Sequence, residues 1–185
     1  MGRDKAFLPF GEETLLSRSL RLARAVTESV SIVGDTKKFA SFAPVVEDAY
    51  RDRGPLGGIH AALSTTRSEH NLIMAVDLPF LDVRFLQYLI AQAQRSEAMV
   101  TVPQIGGGFQ PLCAVYRREF ATLAEDALRD GRNKIDLLFA ETNSRIIVEP
   151  ELTAAGFSAD IFRNLNTAKD LEEALGSLQR PGCIG

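Results

Sequence analysis

The apolar run Leu72–Val76 constrains the fold more than any other stretch of the sequence. Five apolar residues without interruption are typical of a strand that helices cover on both faces. Asp77 follows at once, and Pro79 prevents the strand from continuing. Because the carboxyl ends of strands line the ligand crevice of open parallel sheets, Asp77 is well placed to bind a divalent cation. Capping of the helix expected near Leu81–Arg95 is an equally good interpretation.

The length and composition indicate one domain that fills residues 1–185. A chain of this length buries roughly 70% of its unfolded surface when it folds. The 21 basic and 24 acidic side chains give a net charge of −3, which argues against a nucleic-acid partner. No apolar run approaches membrane-spanning length and no signal peptide is recognisable, so we expect a cytoplasmic protein without a membrane partner. The two cysteines indicate neither a disulfide framework nor a zinc site.

Strand and helix patterns alternate along the first hundred residues. This alternation predicts an α/β fold of three layers, with helices on both faces of a mostly parallel central sheet. The second half is less regular. Besides an extended piece at 5–10, strands are predicted at 29–33, 44–48, 72–76, 99–102, 112–116 and 145–148, and helices at 14–26, 37–42, 59–66, 82–95, 118–129, 135–141 and 168–178.

Lys5 is the first residue that could bind an anion. A lysine presents a compact positive charge that can neutralise a phosphate. Two unit charges about 4 Å apart attract each other by roughly 4 kcal/mol at an intermediate dielectric constant, before desolvation is subtracted. One lysine therefore cannot offset a triphosphate, and a metal ion would be needed as well. The alternative is an ordinary surface lysine.

A glycine-rich turn and an acid precede the central strand. The Gly54–Gly58 turn, which includes Pro55, leads into the helix predicted at 59–66, where backbone N–H groups and the helix dipole favour an anion. Asp48 ends an extended segment and should share the crevice with Asp77, where a carboxylate can accept hydrogen bonds from ribose hydroxyls or a base edge. Tight helix entry and a simple loop aspartate are the competing interpretations.

Arg132 and Lys134 form a small basic pair on a turn. They could be a solvated surface pair or a site for a second phosphate. His60 and His70 have neither metal-ligand spacing nor a partner acid. The sequence offers no Ser–His–Asp or Cys–His set, and neither a Walker phosphate loop nor a dinucleotide fingerprint.

Several short segments follow one another in a specific order: Met1-Gly2-Arg3-Asp4-Lys5, Val46-Glu47-Asp48, Gly54-Pro55-Leu56-Gly57-Gly58, Val76-Asp77-Leu78-Pro79 and Asn164-Leu165-Asn166-Thr167. Each is weakly specific by itself. Their order, along nearly the full chain, resembles the molybdenum cofactor guanylyltransferases, which are MobA-like nucleotidyltransferases with a Rossmann-like sheet. The segments Gln110-Pro111-Leu112 and Gly131-Arg132 resemble the middle section of the same family.

The resemblance implies a reaction and its substrates. GMP would pass from GTP to the terminal phosphate of molybdenum-bound molybdopterin, and pyrophosphate would leave. Cofactor-delivery or acceptor proteins would be further partners, and magnesium would be the cofactor. Because the acceptor phosphate itself attacks the α-phosphorus, the protein would contribute alignment and charge neutralisation rather than a nucleophile.

The resemblance also implies roles for individual residues. Lys5 would hold the triphosphate and Asp77 would bind magnesium, and both would be catalytic. The nucleotide would contact the same two side chains together with Asp48, Gly54 and Pro55. The residues that would face the pterin substrate are Gln110, Arg132, Lys134, Asn164 and Asn166.

The sequence departs from the family's pattern in two places. The family begins with a strand and a glycine-rich phosphate loop, which would precede Met1. Either translation starts upstream of this methionine or the chain is truncated, and a truncated chain would lack a central strand and leave that strand's apolar neighbours uncovered. Gly34 stands where a polar residue able to contact the base is expected, and Asp35 could substitute for it. Three alternatives stay open: a related molybdopterin cytidylyltransferase, a sugar-phosphate nucleotidyltransferase, and a non-catalytic nucleotide-binding module.

Overall fold

A computed structural model describes residues 4–50 and 53–164 of the chain. The strands are β1 (Pro9–Phe10), β2 (Glu13–Thr14), β3 (Ile32–Val33), β4 (Val45–Val46), β5 (His70–Met74), β6 (Val100–Ile105), β7 (Gly108–Phe109), β8 (Cys113–Arg117) and β9 (Ser144–Val148). The α-helices are α1 (Leu15–Arg24), α2 (Thr36–Phe39), α3 (Pro55–Thr65), α4 (Val83–Gln94), α5 (Phe120–Arg129), α6 (Ile135–Glu141) and α7 (Glu149–Ala154). Short 3₁₀-helices occupy Lys5–Phe7 and Ala159–Phe162. The helix predicted at 168–178 lies outside the described residues.

Two of the helices begin at polar caps. The Thr14 side chain accepts a hydrogen bond from the Ser17 N–H and begins α1. Asp82 Oδ1 accepts one from the Phe85 N–H at 2.8 Å and begins α4. The interpretation of Asp77 as the cap of α4 is therefore wrong, because Asp82 satisfies that helix end.

The larger sheet is mixed, and most of its pairings are antiparallel. The strand order is β5-β8-β6-β7, with β9 on the other side of β6, and only the β6–β9 pair is parallel. The prediction of a mostly parallel central sheet is therefore wrong for these strands. The physical reason is the short connections: residues 106–112 link β6 to β8, whereas a parallel crossover needs a dozen residues or more.

Among the described strands, β3 and β4 form a separate parallel pair, and β1 and β2 form a separate antiparallel pair. The described strands therefore form no single continuous sheet. All five residues of β5 are only half-buried. Side chains of this strand nevertheless pack on both faces, as predicted, because Ile73 packs against one core cluster and Leu72 and Met74 pack against the other. The edge of β5 away from β8 adjoins a groove. The strand was predicted at 72–76, two residues later than its observed bounds, His70–Met74.

Helices cover both faces of the larger sheet, which gives the three layers that the sequence predicts. Side chains alternate along β8, so that Ala114 and Tyr116 pack on one face and Cys113 and Val115 on the other. The first face is covered by α3, α5 and α6. The second is covered mainly by α4, whose buried residues include Phe85.

The described helices are too short to cross a membrane. The longest of them, α4, has 12 residues, whereas a span needs about 20 apolar residues.

Candidate active site

Asp77 lies at the edge of the larger sheet where β5 ends. Beyond the strand, the Ala75 N–H still donates to the Leu112 carbonyl oxygen at 2.7 Å, so the chain is fixed up to this point. The Asp77 side chain keeps 24% of its surface exposed. A carboxylate that is anchored by its backbone and open to solvent can take a ligand without a large rearrangement.

Lys5 and Asp77 lie next to each other. Lys5 Nζ is 3.6 Å from Asp77 Oδ2, and the lysine side chain is 44% exposed. The Asp4 side chain accepts a hydrogen bond from the Ala6 N–H and begins the 3₁₀-helix that carries Lys5. The extended conformation predicted from residue 5 is therefore wrong for this first turn, because Asp4 is a helix cap. Lys5 and Asp77, the two residues to which the resemblance assigns the triphosphate and the metal ion, therefore lie side by side.

The loop after Asp77 is held by two arginines that the sequence did not single out. Arg18 Nε donates to the Pro79 carbonyl at 2.6 Å, and a second guanidinium nitrogen donates to the Leu81 carbonyl at 3.4 Å. The Arg163 guanidinium carbon lies 4.5 Å from the centre of the Phe80 ring. Both contacts join distant parts of the chain, so no local pattern could have indicated them.

Asp48 packs against the first turn of α3. Its Oδ1 atom accepts a hydrogen bond from the Tyr50 N–H at 2.7 Å. A Cβ atom on Gly57 would lie 2.7 Å from Asp48 Oδ2 and 2.8 Å from the Tyr50 carbonyl oxygen. Gly57 is therefore required for this close approach, a role that the sequence did not reveal.

The helix α3 begins earlier than predicted. It starts at Pro55, not Ile59, because proline is favoured at the first helical position. Gly54 precedes it with a φ of +66°, a conformation that glycine adopts without strain. No side chain caps this helix start, which leaves its first N–H groups able to bind an anion.

Two of the residues predicted to bind the second substrate adjoin the same edge of the sheet. Because β8 runs antiparallel to β5, Gln110, which precedes β8, lies at the end of the sheet that carries Asp77. The Gln110 N–H donates to the Pro103 carbonyl at 2.9 Å. Asn164 follows Arg163, whose side chain lies on Phe80, three residues beyond Asp77. Asn166 lies outside the described residues.

Arg132 and Lys134 lie on the turn between α5 and α6. One terminal nitrogen of Arg132 is 3.0 and 3.2 Å from the two Glu141 carboxylate oxygens, and Arg132 Nε is 3.8 Å from Asp130. Arg132 is thus paired with acids of its own turn and makes no contact with Asp77. Lys134 directly precedes α6.

Asp35, the residue that could substitute for Gly34 in contacting the base, is the N-cap of α2. Its side chain accepts a hydrogen bond from the Lys37 N–H at 2.8 Å and begins α2. Next to it, Gly34 is tightly packed, because an added Cβ would lie 3.0 Å from the Phe39 ring.

The described side chains form no complete nucleophilic triad. Ser64 Oγ is 3.1 Å from His60 Nε2 on α3, but His60 Nδ1 is buried without a hydrogen-bond partner, so no acid orients the ring. Burial raises the pKa of the Cys113 thiol, which keeps it protonated and unreactive at neutral pH.

Within residues 4–50 and 53–164, no three His, Cys, Asp or Glu side chains cluster as a metal cage would require. Mg²⁺ does not need such a cage, since it commonly binds one or two carboxylates together with phosphate oxygens and water. The partly exposed Asp77 carboxylate, with a lysine beside it, fits this mode of binding.

A lysine–aspartate pair beyond the end of β5 and an uncapped start of α3 are both features that can bind the phosphates of a nucleotide. Such features are typical of nucleotidyltransferases. Residues 1–144 match the MobA-like NTP transferase domain, and the chain belongs to that family.

Individual relatives agree with this assignment. The chain is 30% identical to a molybdenum cofactor guanylyltransferase of Syntrophotalea carbinolica, over 94% of this chain and 83% of the relative. It is 31% identical to one of Desulfosudis oleivorans, over 96% and 89%. The fold is similar to that of molybdopterin-guanine dinucleotide biosynthesis protein A of Archaeoglobus fulgidus, with a TM-score of 0.81, 23% identity and coverage of 96% and 91%.

Proposed function

We propose that this protein transfers GMP from GTP to the terminal phosphate of molybdenum-bound molybdopterin and releases pyrophosphate. The observation that carries the proposal is the Lys5–Asp77 pair at the end of β5, in a chain that is similar over more than nine-tenths of its length to proteins named molybdenum cofactor guanylyltransferase. We infer further that residues 1–185 act as one domain in the cytoplasm.

Lys5 and Asp77 handle the triphosphate. Lys5 binds phosphate oxygens directly, and its 44% exposure leaves the ammonium group accessible. Asp77 holds Mg²⁺, which neutralises phosphate charge when it is bound. The attacking group is a phosphate of the second substrate, which agrees with the incomplete Ser64–His60 pair and the protonated Cys113 thiol.

The nucleoside and the adjoining phosphates lie against α3. Asp48 accepts hydrogen bonds from hydroxyl or base N–H groups, and Gly57 allows its carboxylate to reach the helix. Gly54 and Pro55 form the uncapped helix start, whose N–H groups and dipole favour phosphate.

The pterin substrate contacts the opposite side of the Asp77 loop. Gln110, Asn164 and Asn166 supply amide groups for the ring system, and Lys134 supplies a positive charge. Arg132 becomes available for phosphate by exchanging its exposed ion pair with Glu141, an exchange that costs at most about 1 kcal/mol because exposed pairs are weak.

The direct test is to incubate the protein with Mg²⁺, molybdenum-bound molybdopterin and one nucleoside triphosphate at a time, and to determine the product masses. We expect the guanine dinucleotide and pyrophosphate with GTP only. A cytosine dinucleotide would assign the chain to the cytidylyl alternative. Nucleotide binding by calorimetry without any product would indicate a non-catalytic binding module.

A further inference from the structure

Asp77 lies on a short segment whose backbone is anchored on both sides. Two residues before it, the Ala75 N–H donates to the Leu112 carbonyl, just ahead of β8, at 2.7 Å. Two residues after it, the Pro79 carbonyl accepts a hydrogen bond of 2.6 Å from Arg18 Nε. The first anchor belongs to the sheet, whereas the second is a side chain of α1. Arg18 therefore helps to fix the chain on the far side of Asp77.

The Arg18 guanidinium uses its nitrogen donors in three directions. Nε donates to the Pro79 carbonyl, and one terminal nitrogen donates to the Leu81 carbonyl at 3.4 Å. The other terminal nitrogen donates to Glu13 Oε1 at 3.4 Å. The planar fork of an arginine suits three acceptors in fixed directions, whereas a lysine is a point charge on a flexible stem. The side chain at position 18 therefore does more than supply a positive charge.

Glu13 links Arg18 to a second arginine. Its Oε1 atom accepts a 2.7 Å hydrogen bond from a terminal nitrogen of Arg21, and its Oε2 atom accepts one of 3.2 Å from Arg21 Nε. The Arg21 hydrogen bond most of all, and then Arg18, lower the pKa of the Glu13 carboxyl, so Glu13 stays charged at neutral pH. Within residues 4–50 and 53–164, the side chain of Arg21 forms hydrogen bonds with Glu13 alone. The two arginines thus share one acid, but only Arg18 reaches the loop after Asp77.

Two phenylalanines strengthen the contact between Arg18 and this loop. The Arg18 guanidinium carbon lies 5.3 Å from the centre of the Phe10 ring. Phe10 is buried and meets the Phe80 ring edge to face, with the ring centres 6.0 Å apart. Phe80 lies between the two residues whose carbonyls Arg18 binds. The guanidinium therefore packs against a ring that itself contacts the loop.

We propose that Arg18 is a positioning residue, which fixes the loop after Asp77 so that the Asp77 carboxylate is held ready to bind Mg²⁺. This inference rests on the proposed function, because it takes Asp77 as the metal ligand. Mg²⁺ demands near-ideal octahedral geometry, so a carboxylate that is displaced or mobile binds it more weakly. Arg18 acts through Asp77 and contacts neither substrate.

The test measures GTP affinity by calorimetry, with Mg²⁺ and with EDTA, in variants of the full chain. In Arg18→Met, we expect the gain in affinity that Mg²⁺ gives to fall by about tenfold or more, while the affinity in EDTA is unchanged. Arg18→Lys should behave in the same way, because one ammonium group cannot replace the fork. The matched control is Arg21→Met, which removes the same charge and a contact with the same Glu13, and should keep the full gain.

A second comparison shows whether Arg18 acts through Asp77. In the Asp77→Asn background, Arg18→Met should cause almost no further loss of Mg²⁺-dependent GTP binding, because the carboxylate that it positions is absent. Without any ligand, the Phe80 and Leu81 amides should exchange hydrogen about tenfold faster or more in Arg18→Met and at the wild-type rate in Arg21→Met.

Three results would overturn the proposal. An equal loss of GTP affinity with Mg²⁺ and with EDTA in Arg18→Met would indicate a general role in folding. Wild-type behaviour of Arg18→Lys would indicate an effect of charge alone, and additive losses in the double variant would show that Arg18 does not act through Asp77.

These measurements need no pterin substrate. A chain that binds GTP with Mg²⁺ but forms no dinucleotide would contradict the proposed function. The comparison of Arg18→Met with Arg21→Met would still decide the role of Arg18 in that case.

Discussion

The chain is anchored at Ala75, two residues before Asp77, and the Asp77 side chain remains partly open, a combination that favours a role in binding rather than in stability. Lys5 Nζ lies 3.6 Å from Asp77 Oδ2, and both side chains are partly exposed. An exposed pair of this kind stabilises a fold by no more than about 1 kcal/mol. Substitutions at these two residues should therefore affect ligands much more than folding.

The first prediction concerns Asp77→Asn. We expect Mg²⁺-dependent turnover to fall by at least about a hundredfold, because the neutral amide is a poor Mg²⁺ ligand, while the melting temperature changes little. Steady-state rates at several Mg²⁺ concentrations and thermal unfolding measure the two effects. Glu125→Gln is the matched control, since it also removes one exposed ion pair, with Arg129, and should keep full turnover. Full activity of Asp77→Asn at saturating GTP would remove this residue from the metal site.

The second prediction concerns Lys5→Ala. Losing a charge-assisted contact to phosphate should weaken GTP binding about tenfold or more. Calorimetric titration of GTP into the variant measures this change directly. Lys37→Ala removes an exposed lysine of α2 and serves as the control for net charge. An unchanged GTP affinity in Lys5→Ala would show that Lys5 does not contact the triphosphate.

At the scale of elements, the helix α3 both packs against a neighbouring strand and contacts Asp48, a candidate nucleotide-binding residue. Gly57 and Gly58 are neighbours in its first turns, but they face different surroundings. A Cβ on Gly57 would lie 2.7 Å from Asp48 Oδ2, whereas a Cβ on Gly58 would make an ordinary 3.7 Å contact with Val33 Cγ1. Alanine substitutions at these two glycines therefore distinguish the gain in helix propensity from the clash with Asp48.

The third prediction follows from this difference. Gly58→Ala should raise the free energy of unfolding by up to about 1 kcal/mol, because alanine favours the helix. Gly57→Ala should lower it by about 1–3 kcal/mol, because the added methyl group displaces Asp48 or the Tyr50 carbonyl. Urea unfolding measures both values. If Asp48 contacts the nucleoside, Gly57→Ala should also weaken GTP binding, and equal behaviour of the two variants would contradict the geometric argument.

Elements with local signals could be predicted from the sequence, and elements set by distant contacts could not. The helices α1 and α4 were predicted to within two residues, and α6 was predicted with its observed bounds. Strand direction was predicted wrongly because an apolar run has no direction. Lys5 and Asp77 were singled out from the sequence as candidate site residues, and they lie next to each other. Arg18 could not be found, because its contact with Pro79 spans 61 residues.

At the scale of the whole molecule, three acidic protons are held in protected positions around the larger sheet. Burial raises the pKa of the Cys113 thiol and of the Tyr116 phenol, whose O–H donates to the Pro111 carbonyl at 2.8 Å. Burial, followed by the nearby Glu151 carboxylate, raises the pKa of Tyr88. The ordinary pKa values are 9.0 for a thiol and 10.0 for a phenol. The folded state therefore retains these protons at a pH at which the unfolded chain releases them.

The sign of the resulting pH dependence is fixed. Below pH 9 both states keep these protons, and the three groups contribute no slope. Above pH 9 the unfolded chain loses the Cys113 proton first, and above pH 10 it loses those of Tyr88 and Tyr116. Because the unfolded state then binds fewer protons, the free energy of unfolding falls as pH rises, by about 1.4 kcal/mol per pH unit for each group.

The fourth prediction is a stability curve with two bends. Urea unfolding between pH 7 and 11 should give a free energy of unfolding that declines from about pH 9 and declines more steeply above pH 10. Cys113→Ala should lower the value at neutral pH, because it leaves a small cavity, but should remove the part of the decline between pH 9 and 10 that this thiol causes. Tyr88→Phe should reduce the steeper part and leave the first bend in place. An unchanged slope in Cys113→Ala would mean that the thiol titrates alike in the folded and unfolded chains, and that the face of the sheet around Cys113 is open to solvent.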